Sequence, residues 1–193
     1  ELKKKGVNLL GTGEMGIGNT TTSSAVVAAL IGCSVEEVVG KGAGLSSEGL
    51  KRKINVVKKA LEINKPDSSN ALDVLAKVGG FDIAGLVGCF IGAAACRIPI
   101  LIDGFISSAA ALVAVNLRPE IKDFIFPSHC SGEPGSAAVL KALGFEPFLN
   151  LGMRVGEGTG AALAFHLVDA AFSAYRNMGT FDDARIEQYK PLE

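Results

Sequence analysis

Most of the side chains here that could do chemistry are set among glycines. The densest stretch is Gly11-Thr12-Gly13-Glu14-Met15-Gly16-Ile17-Gly18-Asn19-Thr20-Thr21-Thr22. It follows a short apolar run, Gly6 to Leu10, and precedes an Ala/Val/Leu segment of helical composition from Ser23 to Ile31. Strand, glycine loop and helix start together present backbone N–H groups and a positive helix end to an anion. Glycines let a phosphate approach the backbone without an intervening Cβ, and the threonines supply a cap and hydroxyl donors. Gly11-x-Gly13-x-x-Gly16 matches a dinucleotide fingerprint, and Gly13-x-x-x-x-Gly18-Asn19-Thr20 matches a P-loop whose lysine is replaced by asparagine. The missing lysine argues against triphosphate hydrolysis, because that cation contacts the β- and γ-phosphates. A dinucleotide site needs an acidic residue after a second strand; Glu36 and Glu37 stand at about that distance, but Cys33 to Val39 makes a poor strand. Glu14, a carboxylate inside a phosphate cradle, is unusual for either motif.

Three further loops carry candidates. Glu157 lies in Gly156-Glu157-Gly158-Thr159-Gly160, ahead of a long apolar helix, and by composition alone reads as an acidic residue complementing the helix dipole. Asp103 ends an apolar strand, Ile98 to Ile102, either as a loop cap or as an acceptor for ribose hydroxyls, with the second preferred. Ser131 and Gly132 precede a proline-containing helix start that Ser131 could simply cap. The adjacent His129 and Cys130 make a poor nucleophilic pair, since sequence neighbours rarely meet in the required geometry. His166 falls mid-helix on an apolar face and reads as a core residue. With two histidines and no CxxC, the four cysteines give no metal-ligand spacing and read as reduced thiols.

The elements that must position these loops follow from punctuation and periodicity. Helices are predicted over 48–63, 71–78, 81–95, 106–116, 136–143 and 158–176, and strands over 98–102, 123–126 and 147–151. Strands alternating with helices argue an α/β fold with a Rossmann-like parallel sheet and helices on both faces. The chemistry-bearing loops all follow strands, so they converge at the carboxyl ends where such sheets bind ligands. The helix over 48–63 has a basic, solvated face, from which Lys53 alone is placed to point back toward the phosphate loop. Nineteen basic and 20 acidic residues leave a net charge of −1, so nothing draws nucleic acid or an anionic membrane as a whole. The apolar run from Ile83 to Cys96 is too short for a membrane span. The opening Glu1-Leu2-Lys3-Lys4-Lys5 lacks the apolar core of a secretory leader, and a cytoplasmic protein is expected.

Gly13-Glu14-Met15-Gly16-Ile17-Gly18-Asn19-Thr20-Thr21 closely resembles the signature of the nicotinate-nucleotide–dimethylbenzimidazole phosphoribosyltransferases of cobalamin assembly. Three later blocks resemble the same family in the same order: Leu101-Ile102-Asp103-Gly104-Phe105, Ser128-His129-Cys130-Ser131-Gly132-Glu133-Pro134-Gly135, and Arg154-Val155-Gly156-Glu157-Gly158-Thr159-Gly160-Ala161. The resemblance spans nearly the whole chain and implies the C-terminal half or so of a family member. It implies an α/β nucleotide-binding domain over 1–152, then an active-site loop and helices over 153–193 that join a small helical domain.

The resemblance also implies conversion of nicotinate mononucleotide and 5,6-dimethylbenzimidazole to α-ribazole 5′-phosphate and nicotinate. The matching glutamate, Glu157, becomes the general base for the azole N–H, and Glu14 an active-site carboxylate of open role. Gly16, Gly18, Asn19, Thr20, Gly42 and Lys53 are the candidates for the phosphate region. Asp103, Gly104, Ser131, Gly132 and Val155 are candidates for the rest of the nucleotide. No cofactor and no metal are implied: the substrate has one phosphate and no pyrophosphate leaving group for magnesium. A homodimer acting on small molecules is expected, with no nucleic-acid or membrane partner. The alternatives are a non-catalytic nucleotide-binding half-domain that needs a missing N-terminal segment, and a nicotinamide-cofactor oxidoreductase reading ribose through Glu36 or Glu37.

Overall fold

A computed structural model describes residues 1–187. Three short parallel strands form one sheet in the order β1 (Leu10–Gly11), β2 (Ile100–Ile102), β3 (Ile125–Pro127). Their register pairs Leu10 with Ile100, and Ile100 with Ile125. Between them run α1 (Asn19–Ile31), α2 (Val35–Val38), α3 (Ser47–Asn64), α4 (Ala71–Val78), α5 (Phe81–Ala95) and α6 (Phe105–Leu117). After β3 come α7 (Pro134–Leu143), α8 (Thr159–Asn177) and the single turn α9 (Phe181–Ala184). Short 3-10 turns at Leu2–Lys5 and Pro119–Phe124 complete the described chain.

Side chains alternate across β2, and that alternation builds two layers. Ile100 and Ile102 enter the main core with Val26, Phe90, Ala109 and Val113, from α1, α5 and α6. Leu101 points the other way and packs on Ala161 and Ala164 of α8, with Leu9 and Phe165 beside them. The sheet is thus parallel with helices on both faces, as its continuous apolar strands require.

The predicted helices are present, most within two residues of their expected ends. The exception is α1, which begins at Asn19 rather than Ser23. Gly18 takes a left-handed conformation (φ +80°) as N-cap, and two hydroxyls bond back within the helix, Thr22 Oγ1 to Asn19 O at 3.0 Å and Ser24 Oγ to Thr20 O at 2.7 Å. Such back-bonding accommodates the threonine run in a helix. The strand expected over 147–151 is reduced to one bridge, His129 to Leu149, because Pro147 has no N–H and Gly152 turns left-handed at φ +63°. Val35–Val38 is a helical turn, so the second strand that an oxidoreductase reading needs before its acidic residue is missing. Glu36 there pairs with Lys58 at the surface. Among the described residues no helix is long and apolar enough to cross a membrane.

Candidate active site

The glycine loop leaves β1 at Thr12, whose buried hydroxyl donates to Leu101 O at 2.7 Å and pairs with Ser107 Oγ at 2.7 Å. One threonine thereby ties the loop to β2 and to α6. Gly13 follows, and its backbone lies directly on the loop before α8. A Cβ built there would sit 2.7 Å from both the N and the Cα of Gly158. Only glycine permits that approach, and it brings the Glu14 loop beside the Glu157 loop.

Glu14 turns its carboxylate inward. Its Oε2 accepts from Gly16 N at 2.5 Å and Asn19 Nδ2 at 2.6 Å, while the same Asn19 Nδ2 lies 2.7 Å from Asp82 Oδ2. Asn19 therefore holds Glu14 and docks the loop on the start of α5. Neither Gly18, at the start of α1, nor Gly104, at the start of α6, provides a side-chain cap. Their first-turn N–H groups and the positive ends of two helix dipoles therefore face this region.

Lys53 reaches this region from α3. It is 7% exposed, and its Nζ donates to Thr20 Oγ1 at 2.8 Å and Gly40 O at 2.9 Å. Burial lowers its pKa, and the Glu133 carboxylate works in the opposite direction. Gly42 sits against the same group in a left-handed conformation, φ +54°, where a Cβ would lie 2.9 Å from Thr20 Oγ1. A cation, a hydroxyl and an uncapped helix start thus share one corner.

A cleft of about 240 Å³ opens above these residues, lined by Glu14, Gly16, Thr20, Gly42, Gly104, Ser131, Val155 and Glu157 among others. It adjoins a second hollow of about 370 Å³ that shares Gly16, Thr20 and Gly42 and adds Gly18 and Lys53. Three of the expected site residues line neither. Asn19 braces Glu14, and Gly132 is covered by the stem of Arg154, whose Cγ would lie 2.8 Å from an added Cβ. Asp103 is the clear correction. It is 1% exposed, and its carboxylate accepts the N–H groups of Gly158 at 2.9 Å, Gly160 at 2.8 Å and Ala161 at 3.3 Å. Both oxygens face backbone donors of the loop before α8, so the capping role replaces the ribose contact.

Ser131 lines the cleft through a loop that folds on itself. Its N–H donates to Ser136 Oγ at 3.1 Å, and its own Oγ accepts from Glu133 N at 3.4 Å. Beneath it His129 is 2% exposed, with Nδ1 3.0 Å from Ser128 Oγ and the ring against Gly160, where a Cβ would lie 2.0 Å from Nδ1. Burial lowers the His129 pKa, opposed by the charge of Asp103. The cysteines are all free. Among the described residues no group of three or more His, Cys, Asp or Glu side chains is placed to hold a metal ion.

Two charged cleft residues were missed in sequence, Glu133 and Arg154. Both lie inside the blocks that carry the family resemblance, and Glu133 Oε2 is buried without a hydrogen-bond partner. Among the described residues, Arg154 is the only lysine or arginine lining the 240 Å³ cleft, with its guanidinium 4.0 Å from Glu133 Oε1.

A family model described as phosphoribosyltransferase matches residues 1–186. The nicotinate-nucleotide–dimethylbenzimidazole phosphoribosyltransferase of Acetivibrio thermocellus is 72% identical over 191 residues, which are 99% of this chain and 54% of that relative. The enzyme of the same name from Ruminiclostridium cellulolyticum is 64% identical over 193 residues, 100% of this chain and 55% of the relative. The crystal structure of CobT from Thermus thermophilus superimposes with a TM-score of 0.90 at 40% identity, covering 97% of this chain and 56% of that one. The chain therefore spans about half the length of the curated relatives it matches. Matched along almost all of its length in sequence and in backbone, it belongs to the nicotinate-nucleotide–dimethylbenzimidazole phosphoribosyltransferase family.

Proposed function

We propose that this chain carries the transfer site of a phosphoribosyltransferase that converts nicotinate mononucleotide and 5,6-dimethylbenzimidazole to α-ribazole 5′-phosphate and nicotinate. The observation that carries the reading is one cleft with two glutamates, Glu14 and Glu157, beside an anion-ready corner built from Thr20, Gly42, Lys53 and the start of α1. The 5′-phosphate takes that corner, where Lys53 supplies charge and Gly16 and Gly18 keep the backbone open. Arg154 suits the nicotinate carboxylate, the substrate's second anionic group.

In the transfer one azole nitrogen attacks C1 of the ribose as the C1–nicotinate bond breaks. The bonding pair of that breaking bond moves onto the pyridine nitrogen, which is cationic in the substrate and leaves neutral, so no general acid is needed. Positive charge grows on the azole, and Glu157 takes the proton from its other nitrogen. A base placed this way contributes about 10²- to 10⁴-fold in rate. Attack opposite the leaving group inverts the anomeric carbon from β to α.

The outer half of α8 supports membership in a small helical domain. Beyond Phe165, which packs on the sheet, Leu167, Phe172, Tyr175 and Met178 are 41–83% exposed. An exposed apolar helix face of that size suits packing against another element of the same protein. The proposed boundary near residue 152 leaves the first turns of α8 on the sheet, and the last six residues of the proposed 153–193 segment lie outside the described residues. The family resemblance extends the reading to a cytoplasmic homodimer, which sedimentation at several concentrations would test. The reaction is tested by following the ribose anomeric proton by NMR with nicotinate mononucleotide and 5,6-dimethylbenzimidazole. Appearance of an α-anomer with free nicotinate supports the proposal; nicotinate mononucleotide that neither reacts nor binds refutes it.

A further inference from the structure

Glu157 stands in left-handed backbone, φ +56°, between Gly156 at φ +74° and Gly158 at φ +80°. A non-glycine residue keeps that conformation only where its surroundings impose it. Two sets of bonds do so. Within the turn, Thr159 bonds back to Gly156 O through its N–H at 3.0 Å and its Oγ1 at 2.7 Å. From outside, Asp103 holds three of the four amides that follow Glu157 on its C-terminal side, Gly158, Gly160 and Ala161. Asp103 lies at the end of β2, the central strand, so the strand sets the height and tilt of the Glu157 turn directly. Its charge also complements the start of α8.

We infer that Asp103 is a positioning residue: its buried carboxylate fixes where Glu157 presents its own carboxylate to the azole. This rests on Glu157 acting as the base. Bonds from a charged acceptor to backbone amides are short and directional, and loss of one lets the turn move. A displacement of about 1 Å at a reacting group costs about 10²-fold. The residue acts through Glu157 rather than on substrate, so its removal lowers kcat and leaves the affinity for nicotinate mononucleotide to the Lys53 corner.

The test is a double-variant cycle on turnover with Asp103→Asn, Glu157→Gln and the two together, kcat being referred to the folded fraction measured by circular dichroism. Asparagine keeps an oxygen for Gly160 and Ala161 and sets an NH₂ group against the Gly158 N–H. Asp103→Asn is expected to lower kcat by about 10- to 100-fold with KM for nicotinate mononucleotide within about twofold. The double variant is then no slower than Glu157→Gln alone, because a displaced base and an absent one are equivalent. Losses that multiply, a KM that rises with the fall in kcat, or parental turnover in Asp103→Asn overturns the inference. Asp103→Ser takes the same cycle if the asparagine variant does not fold. Full activity in Glu157→Gln alone would instead remove the base assignment itself.

Discussion

Gly13→Ala puts one methyl group between the two loops that carry the glutamates. The added Cβ would meet Gly158 N and Cα at 2.7 Å, with the Glu157 carbonyl carbon at 3.1 Å, against 3.4 Å or more for ordinary contact. The neighbours are backbone atoms, so no side chain can swing aside. The loops must part by about 0.7 Å, the shortfall from 3.4 to 2.7 Å. Overpacking of this kind costs about 1–3 kcal/mol of stability. A misplacement approaching 1 Å at a catalytic group costs up to about 10²-fold, so kcat is expected to fall roughly 10- to 100-fold in a variant that still folds. The control is Gly85→Ala on α5, where a Cβ meets nothing within 4 Å and φ is ordinary. It is expected to gain about 0.4–1 kcal/mol without change in turnover. Urea unfolding and nicotinate release, measured on both variants, check the pair. Parental stability and turnover in Gly13→Ala would refute the claim that the two loops are packed backbone to backbone.

The corner and the rim of the cleft give further tests. Lys53→Met, which keeps the buried stem, is expected to weaken binding of nicotinate mononucleotide by about 10- to 150-fold, the equivalent of about 1.5–3 kcal/mol for a hydrogen bond to a charged group; calorimetric titration reads it. Arg154→Gln is expected to erase a preference for nicotinate mononucleotide over nicotinamide mononucleotide, and an unchanged ratio of the two affinities would take Arg154 out of substrate recognition. His129 is held neutral by burial below its ordinary pKa of 6.5, so the unfolded chain takes up the proton first as the pH falls. Its contribution to stability is therefore full above about pH 6.5 and is lost progressively below it. The melting temperature is expected to drop from pH 7 to pH 5, and to drop less in His129→Gln.

The parallel fold was legible because β2 is continuously apolar and the loops that begin at Thr12, Asp103 and Ser128 each follow a strand. Lys53 was legible too: on the basic face of α3 it alone stood where it could turn back toward the glycine loop, and it does. Asp103 was misjudged for a physical reason. A carboxylate at a strand end suits sugar hydroxyls and backbone amides equally, and the choice depends on which amides come near. Gly158, Gly160 and Ala161 lie 55 to 58 residues away and arrive only through tertiary packing. Glu133 and Arg154 were missed because each sits one or two positions from a residue with a more obvious role. Glu36 shows the converse: its spacing fitted a ribose-binding acid, yet its backbone is helical and its partner is Lys58.

Replacement of Glu157 by glutamine tests the central claim most directly. The variant keeps the size of the side chain and its place in the left-handed turn while removing the proton acceptor. Nicotinate release with 5,6-dimethylbenzimidazole present is expected to fall by about 10²- to 10⁴-fold at saturating nicotinate mononucleotide, with binding of that nucleotide unchanged. Turnover within about twofold of the parent, well short of the 10²-fold expected of a lost general base, would contradict the account.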